Sequence, residues 1–324
     1  MKAALCSHFC TPDELEFTDI EEPRAGPGEA VVRVKSAALN FFDTLIIAGK
    51  YQHKPPFPFS PGAEFAGLVE SIGAGVSGLA PGDRVMGNIG WGAAREMVAV
   101  PAQQLVKMPD GLDFDRAAGL TVTYGTTLYA LQERAELKSG ETLAVLGASG
   151  GTGLAAIEIG KIMGARVIAC ASSDDKLAFA RKHGADEAVN YGREDLRGAL
   201  KTLGGEHGIN VVYDPVGGPY AEPAVRSLAW QGRYLVVGFA AGEIPKLPLN
   251  LVLLKSCDIR GVLWGSWVRR EPEAQRALMT QIVAWCAQGK LSAHVHAVYP
   301  LSDIAAALKT FADRTVLGKI VLRP

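Results

Sequence analysis

The first part of the chain consists of short apolar runs separated by turns. Runs rich in Val and Ala, such as EAVVRVKSAAL, FAGLVESIG and REMVAVP, alternate with Gly- and Pro-containing stretches such as RAGPGE, APGDR and MPDGL. Runs of this length and spacing are typical of strands in an all-β barrel or sandwich, because Gly and Pro terminate each strand. The pattern therefore predicts a β-rich domain over residues 1 to about 110.

Beyond about residue 120 the pattern changes to apolar strands that alternate with helical segments. Alternation of this kind predicts βαβ units and a parallel sheet. The predicted strands are 143–148, 166–171, 209–213 and 233–238, and the predicted helices are 150–163, 175–183 and 219–229.

The tail of the chain contains two amphipathic helices, PEAQRALMTQIVAWCAQG and SDIAAALKTFADR, and a closing strand, GKIVL. One strand and two helices cannot bury a core of their own, so we expect the tail to fold back onto the β-rich domain. The predicted organisation is a β-rich domain of residues 1–120 and 264–324, and a second domain of residues 121–263.

The composition fits two ordinary cores and gives no sign of a charged macromolecular partner. The chain has 324 residues, of which 48% are hydrophobic, and 33 Lys and Arg against 34 Asp and Glu leave a net charge of −1. Without a basic run, neither nucleic acid nor an anionic membrane is an expected partner. No apolar run reaches the ~18 residues of a membrane span and no signal peptide is evident, so we expect a cytoplasmic protein. Five scattered cysteines predict reduced thiols.

The stretch LAVLGASGGTGLAAIEIG places a glycine-rich turn between an apolar strand and a helix. A helix N-terminus presents unpaired N–H groups and a partial positive charge, so a pyrophosphate binds there when no side chain blocks its approach. Gly150, Gly151 and Gly153 leave that approach open, although Ala148 replaces the first glycine of the dinucleotide-binding motif. Close packing of the helix against the sheet is the alternative explanation of these glycines.

Several stretches together resemble the zinc-independent quinone oxidoreductase branch of the medium-chain dehydrogenase/reductase superfamily, the zeta-crystallin-like proteins. They are ALNFFDTLIIAGKY, PGAEFAGLVESIGAGVSG, PGDRVMG, TYGTTLYAL, LGASGGTGLAAIEIGKIMGA, VVYDPVGG, GRYLVVGFAAG and GKIVL. The resemblance implies an α/β protein in which a GroES-like β-rich catalytic domain accompanies a Rossmann domain with a doubly wound parallel sheet. It further implies that the nicotinamide binds in the cleft between the domains and that the protein is a homodimer.

The chain departs from the zinc-dependent alcohol dehydrogenases of that superfamily at their metal ligands. Asn40 and Ala63 stand where those enzymes have Cys and His, and Glu64 alone matches a ligand; residues 85–105 contain no Cys. One carboxylate cannot hold zinc, so we expect no metal. Without a metal to polarise an alcohol, hydride transfer to a conjugated acceptor is favoured.

We therefore expect an NADPH-dependent oxidoreductase that reduces a small quinone or another α,β-unsaturated carbonyl. Two alternatives stay open. The first is an enoyl-thioester reductase of the acyl-CoA type, for which Lys50, His53 and Lys54 would bind a phosphate. The second is a non-catalytic NADPH-binding protein.

The expected catalytic residues are Asn40, Tyr51 and Thr126. Asn40 would hydrogen-bond the substrate carbonyl or the nicotinamide ribose, Tyr51 would orient a carbonyl or relay a proton, and the resemblance places Thr126 against the nicotinamide. Asn40 and Thr126 are also common residue types at helix starts, and Asp43 is interpreted as a helix N-terminal acid. The expected substrate pocket is lined by Phe41, Trp91, Phe239 and Trp264.

NAD enzymes keep an acid about 20 residues beyond the glycine turn, where it binds the ribose 2′-hydroxyl. In this chain that position is Ala171. Ser172 and Lys176 would instead meet a 2′-phosphate, and the resemblance adds Tyr191 over the same group, so NADPH is the expected coenzyme. Asp174 and Lys176 also have an ordinary interpretation, as a helix cap and a surface charge. The full expected coenzyme set is Ser149, Gly150, Gly151, Thr152, Gly153, Ser172, Lys176, Tyr191, Gly238, Phe239, Ala240 and Lys319.

Overall fold

A computed structural model describes residues 1–324 and contains fifteen strands. In chain order the strands are β1 (Lys2–Leu5), β2 (Glu16–Asp19), β3 (Glu29–Leu39), β4 (Glu64–Ile72), β5 (Arg84–Asn88), β6 (Met97–Pro101), β7 (Leu105–Lys107), β8 (Thr142–Leu146), β9 (Arg166–Ala171), β10 (Glu187–Asn190), β11 (Ile209–Asp214), β12 (Leu228–Val236), β13 (Asp258–Gly261), β14 (Val295–Pro300) and β15 (Lys319–Arg323).

Eleven α-helices connect these strands. They are α1 (Phe41–Ile47), α2 (Phe114–Ala118), α3 (Thr123–Leu128), α4 (Gly151–Ile162), α5 (Asp174–Lys182), α6 (Leu196–Gly204), α7 (Ala221–Arg226), α8 (Asn250–Lys255), α9 (Trp264–Arg270), α10 (Pro272–Ala287) and α11 (Ile304–Ala312). No helix is long and apolar enough to span a lipid bilayer.

The chain forms two compact units. The first unit comprises Met1–Val122, Met279–Gln288 and Ala293–Pro324, and the second comprises Thr123–Leu278 and Gly289–Ser292. The predicted boundary at residue 264 differs from this grouping because α9 packs on α3. Gly125 lacks the Cβ that would lie 2.9 Å from Cζ2 of Trp264, and the rings of Tyr129 and Trp267 stack at 4.6 Å.

The first unit is built on a seven-stranded sheet in the order β14-β15-β3-β4-β5-β7, with β6 also paired to β3. Its central strand, β3, is rich in Val and Ala and is mostly buried. The closing strand β15 pairs with β3 in antiparallel orientation. The tail therefore returns to the β-rich part of the chain, as the sequence predicts.

The second unit contains a six-stranded parallel sheet in the order β10-β9-β8-β11-β12-β13. The order runs outward in both directions from the neighbouring strands β8 and β11, which is the doubly wound Rossmann arrangement. A ligand binds such a sheet at the carboxyl ends of the two strands where the order reverses. The predicted α/β fold class, with a GroES-like unit and a Rossmann unit, is confirmed.

Candidate active site and coenzyme site

Three polar side chains come together at one end of the central strands of the first sheet. Asn40 follows β3 directly, Glu64 opens β4 and Lys319 opens β15. Strand β3 pairs with both of the other strands, with Glu64 opposite Ala38 and Ile320 opposite Leu39. The strand register therefore brings together residues that are far apart in the sequence.

The Lys319 ammonium group donates three hydrogen bonds in this cluster. Its Nζ lies 2.7 Å from Asn40 Oδ1, 2.8 Å from Glu64 Oε1 and 3.0 Å from the Leu39 carbonyl oxygen. Asn40 Nδ2 donates to the same Glu64 Oε1 at 3.1 Å. Lys319 and Glu64 are both buried, so this is an ion pair shielded from water.

The second oxygen of Glu64 is also hydrogen-bonded. Oε2 accepts a hydrogen bond from the backbone N–H of Val122 at 2.7 Å and from Thr121 Oγ1 at 3.1 Å. A buried carboxylate with every oxygen paired avoids the penalty of an unsatisfied charge. Glu64 is therefore held in one orientation by groups from three other segments of the chain.

Asp43 is a second buried carboxyl group at the same place. Its side chain is fully buried and accepts hydrogen bonds from the backbone N–H groups of Asn40, at 2.7 Å, and of Gly62, at 3.0 Å. Burial raises the pKa of Asp43 to about 7, against the opposing effect of these N–H groups and of the positive charge of Lys319. The expectation of an N-terminal acid on α1 is confirmed, and the acid also fixes the Gly62 backbone.

Tyr51 lies beyond the end of α1 and stacks on Phe42, with ring centroids 5.4 Å apart. Burial, and to a smaller extent the charge of Asp43, raise the pKa of the Tyr51 phenol. The phenol therefore stays protonated at neutral pH and can donate a hydrogen bond. Phe41, expected in the pocket, is partly exposed at the first position of α1, and Trp91 is exposed on a loop.

In the second unit the glycine turn lies at the reversal of strand order, directly after β8. Gly147 adopts a positive φ of 59°, and its carbonyl oxygen accepts the N–H of Gly150 at 3.0 Å before α4 begins at Gly151. A Cβ on Gly153 would collide with that same carbonyl oxygen. Close packing therefore explains Gly153, whereas the only atom near a Cβ on Gly150 is the Gly147 oxygen at 3.6 Å.

The carboxyl end of β9 carries the groups expected for a 2′-phosphate. Lys176 Nζ donates to Ser172 Oγ at 3.0 Å, and the N–H of Tyr191 donates to the carbonyl oxygen of Ala171 at 3.0 Å. The ring of Tyr191 packs against that of Tyr220, with centroids 4.3 Å apart. These residues from β9, α5 and the segment after β10 thus lie at one edge of the parallel sheet.

Asp174 lies at the same edge and is paired. Its Oδ1 accepts from Asn190 Nδ2 at 2.9 Å, and its Oδ2 lies 2.7 Å from Arg193 Nη1. Arg193 therefore balances the charge of Asp174, the nearest acid. The sequence interpretation missed this residue. Its position in the block VNYGRED, two residues after Tyr191, was the available signal.

The loop after β12 contains three further expected coenzyme residues, Gly238, Phe239 and Ala240. Gly238 N–H donates to the Asp214 carbonyl oxygen at 3.3 Å and Ala240 N–H donates to that of Pro215 at 3.1 Å, so this loop lies beside the end of β11. The Asp214 side chain is buried and accepts from the N–H groups of Val216 and Gly217. Phe239 leaves 38% of its surface exposed at this edge.

One expected site residue, Trp264, has surroundings that point to packing. Trp264 is only 6% exposed, lies against Gly125 and donates its indole N–H to Gln275 Oε1 at 3.0 Å. Thr126 is partly buried within α3, which begins three residues earlier at Thr123. The predicted contact of Trp264 with an acceptor is not favoured by this packing, and the role of Thr126 stays a prediction.

The structure contains no group of three or more His, Cys, Asp or Glu side chains that could hold a metal ion. At the expected ligand positions, Ala63 is buried beside Glu64 and has no donor atom, and Asn40 bonds to Lys319 and Glu64.

Comparison with known proteins supports the assignment of both units. Residues 26–110 match the family described as alcohol dehydrogenase GroES-like domain, and residues 151–282 match the family described as zinc-binding dehydrogenase. The chain is 38% identical over 322 residues to quinone oxidoreductase-like protein 2 of Rattus norvegicus, covering 99% of this chain and 91% of the relative. The chain belongs to the quinone oxidoreductase family.

Other members of this medium-chain dehydrogenase/reductase family agree over nearly the whole length. Quinone oxidoreductase of Pseudomonas aeruginosa is 33% identical over 315 residues, covering 97% of this chain and 96% of the relative. The crystal structure of Escherichia coli quinone oxidoreductase, solved as a complex with NADPH, superposes with a TM-score of 0.91 at 28% identity and covers 100% of both chains. The resemblance inferred from the sequence blocks is confirmed.

Proposed function

We propose that this chain is an NADPH-dependent reductase that delivers hydride to a quinone or another α,β-unsaturated carbonyl without a zinc ion. The observation that supports this most directly is the ion pair between Lys319 and Glu64 at the position where zinc-dependent relatives bind their metal. We expect the acceptor to be a small molecule and the protein to act in the cytoplasm.

The absence of zinc in this proposal rests on the chemistry of the available donors. Zinc needs several thiolate, imidazole or carboxylate ligands at tetrahedral reach. Asn40 and Ala63 supply none, and the one carboxylate, Glu64, already bonds an ammonium group at 2.8 Å. A divalent cation would have to displace Lys319 and would gain a single charged ligand.

The residues of the second unit fit a dinucleotide coenzyme. When bound, NADPH supplies the hydride. The open space at Gly150 and the N–H groups at the start of α4 would hold the pyrophosphate, because the helix dipole favours negative charge there. Escherichia coli quinone oxidoreductase, with NADPH bound, has the same overall fold.

The charges at the end of β9 favour NADPH over NADH. Lys176 and Ser172 would donate hydrogen bonds to a 2′-phosphate, and Arg193 would neutralise Asp174, the nearest acid. Ala171 leaves no carboxylate to bind a ribose 2′-hydroxyl in its place. A charged hydrogen bond contributes about 1.5–3 kcal/mol, which corresponds to a preference of roughly ten- to a hundredfold.

In the first unit, Asn40 and Tyr51 would stabilise the acceptor oxygen as negative charge develops on it. One N–H of the Asn40 carboxamide donates to Glu64, which leaves the second available. The protonated phenol of Tyr51 would provide a further donor. Such preorganised donors stabilise a developing oxyanion without a metal.

An enoyl thioester is the second candidate substrate class. Lys50, His53 and Lys54 are exposed around Tyr51; the His53 ring centroid lies 6.0 Å from that of Tyr51. These groups would meet the phosphates of a CoA-type carrier. At saturating NADPH, screening by salt would then lower activity on the thioester more than quinone reduction, because only the thioester would contact these groups.

We further propose that the protein is a homodimer formed through the second unit. Strand β13 is one of the two edge strands of the parallel sheet, and apolar side chains beside it are exposed. An open sheet edge next to an apolar patch favours pairing with a second copy. The exposed residues are Leu249, Leu253, Leu254, Ile259 and Leu263.

Loss of NADPH absorbance with 1,4-benzoquinone, an enone and crotonyl-CoA, measured in parallel, tests the proposed function. We expect turnover of the quinone, the enone or both. Preferential turnover of crotonyl-CoA that falls with added salt would support the thioester alternative. Tight coenzyme binding without turnover of any acceptor would indicate a binding protein instead.

A further inference from the structure

All three hydrogen-bond donors of the Lys319 ammonium group are already used within the first unit, so none is available for a coenzyme. An ammonium group has three donors and no acceptor, and all three donate to oxygens of the first unit: Leu39 O, Asn40 Oδ1 and Glu64 Oε1. The residue is 4% exposed. The geometry therefore favours a role different from the coenzyme contact expected from the sequence.

The fold makes room for this lysine at a distant glycine. A Cβ on Gly119 would lie 3.0 Å from Cγ and 3.2 Å from Cε of Lys319. The aliphatic stem thus runs along a backbone surface that exists because residue 119 lacks a side chain. The direction of the stem then fixes where Nζ must lie.

The partners of the ammonium group define the orientation of Asn40. Lysine is donor-only and a carboxylate is acceptor-only, so Asn40 must turn Oδ1 to Lys319 and Nδ2 to Glu64. The opposite orientation of the carboxamide would place its NH₂ group against an ammonium group. The second N–H of Asn40 therefore has one defined direction.

We propose that Lys319 is a positioning residue: its buried ammonium group pairs with Glu64, at one of the expected metal-ligand positions, and fixes the Asn40 carboxamide for the acceptor. This inference rests on the proposed function, in which Asn40 contacts the acceptor. Lys319 itself touches neither acceptor nor coenzyme.

The test separates charge balance from positioning by removing both charges together. Lys319→Met keeps most of the aliphatic stem but leaves Glu64 buried without its cation, so we expect this single variant to unfold at lower temperature. The double variant Lys319→Met/Glu64→Gln is neutral and similar in volume, and it supplies the test whether or not the single variant folds. Lys309→Met, which removes an exposed lysine paired with Asp13, is the control.

We measure NADPH affinity by fluorescence titration and steady-state reduction of 1,4-benzoquinone. The double variant should bind NADPH within about twofold of wild type, while kcat falls about tenfold or more with little change in KM, because a donor to the developing oxyanion is misplaced. Wild-type kcat in the double variant would show that Lys319 only balances charge. A tenfold rise in the NADPH Kd at unchanged kcat would make it a coenzyme residue. Either result overturns the proposal.

A readout independent of turnover distinguishes failure of this inference from failure of the proposed function. The side-chain amide signal of Asn40, assigned with an Asn40→Asp variant, is followed by ¹H–¹⁵N NMR. In the double variant it should shift and exchange faster with water. If it does not change, the positioning role is refuted, even if wild-type protein reduces quinones. If wild type reduces no acceptor, the proposed function fails and the amide signal still decides the orientation of Asn40.

Discussion

Replacing Asp43 by Asn should change how the stability of the protein depends on pH. The pKa of Asp43 is about 7 in the folded chain, against an ordinary value of 3.8, because the carboxyl is buried. The pKa of Asp43 is higher in the folded chain than in the unfolded chain, so its protonation stabilises the fold. This stabilisation is complete below about pH 4 and is lost as the pH rises from there through about 7. Between pH 5 and pH 8, this titration lowers the free energy of unfolding of the wild-type protein by about 2–3 kcal/mol.

Asp43→Asn removes this titration but has a constant cost. The N–H groups of Asn40 and Gly62 bond to different oxygens of Asp43, so an amide leaves one of them without an acceptor. That loss amounts to about 1–3 kcal/mol at every pH. The variant should therefore be less stable than wild type at pH 5, and the difference should shrink or reverse by pH 8.

Thermal unfolding of both proteins at pH 5, 6, 7 and 8 measures the effect. For a unit of this size, the wild-type Tm should fall by roughly 5–10 °C relative to the variant across the range. Glu14→Gln, at an exposed acid, is the matched control and should keep the wild-type pH profile. Parallel pH profiles for wild type and Asp43→Asn would refute the reasoning, since Asp43 would then be ionised throughout.

Four further predictions concern the coenzyme, the glycines and assembly. Gly151→Val should raise the NADPH Kd by calorimetry with little loss of stability, whereas unchanged affinity would make the turn a packing feature. Lys176→Ala should weaken NADPH by about tenfold and leave NADH nearly unchanged, as should Arg193→Ala to a smaller degree; equal losses for both coenzymes would contradict the 2′-phosphate assignment. Gly119→Val should lower the free energy of unfolding by about 1–3 kcal/mol, because the new side chain displaces the Lys319 stem; chemical denaturation checks this. Leu253→Glu should convert a dimer to a monomer in light scattering, and a wild-type monomer would contradict the proposed assembly.

The elements with strong local patterns could be predicted from the sequence. Strand β9 has the predicted bounds, and helix α4 lies within one residue of its predicted ends, because a glycine turn opens the helix and apolar runs flank it. The sequence analysis did not predict strand β10 (Glu187–Asn190) or helix α6 (Leu196–Gly204). Strand β10 has only four residues, and the stretches on either side of it are strongly polar. Strand β12 begins at Leu228, inside the predicted helix 219–229, because pairing with β11 outweighs its local sequence.

The candidate site was only partly predictable because its parts are joined by strand register. Asn40 was found as an altered ligand position and Glu64 as a retained one, but nothing local to GKIVL indicates that Lys319 reaches them. That contact depends on the pairing of β15 with β3 and on the missing side chain of Gly119. Trp264 is the opposite case: the sequence analysis expected it in the substrate pocket, whereas in the structure its ring packs into the space left by Gly125.

Quinone reduction by metal-free protein tests the central claim most directly. Purified protein is dialysed against a chelator, analysed for zinc by elemental analysis, and assayed with 1,4-benzoquinone and either NADPH or NADH. The proposal predicts no stoichiometric zinc, undiminished activity, and a kcat/KM for NADPH at least about tenfold above that for NADH. About one zinc per chain, with activity lost on chelation and restored by zinc, would contradict it.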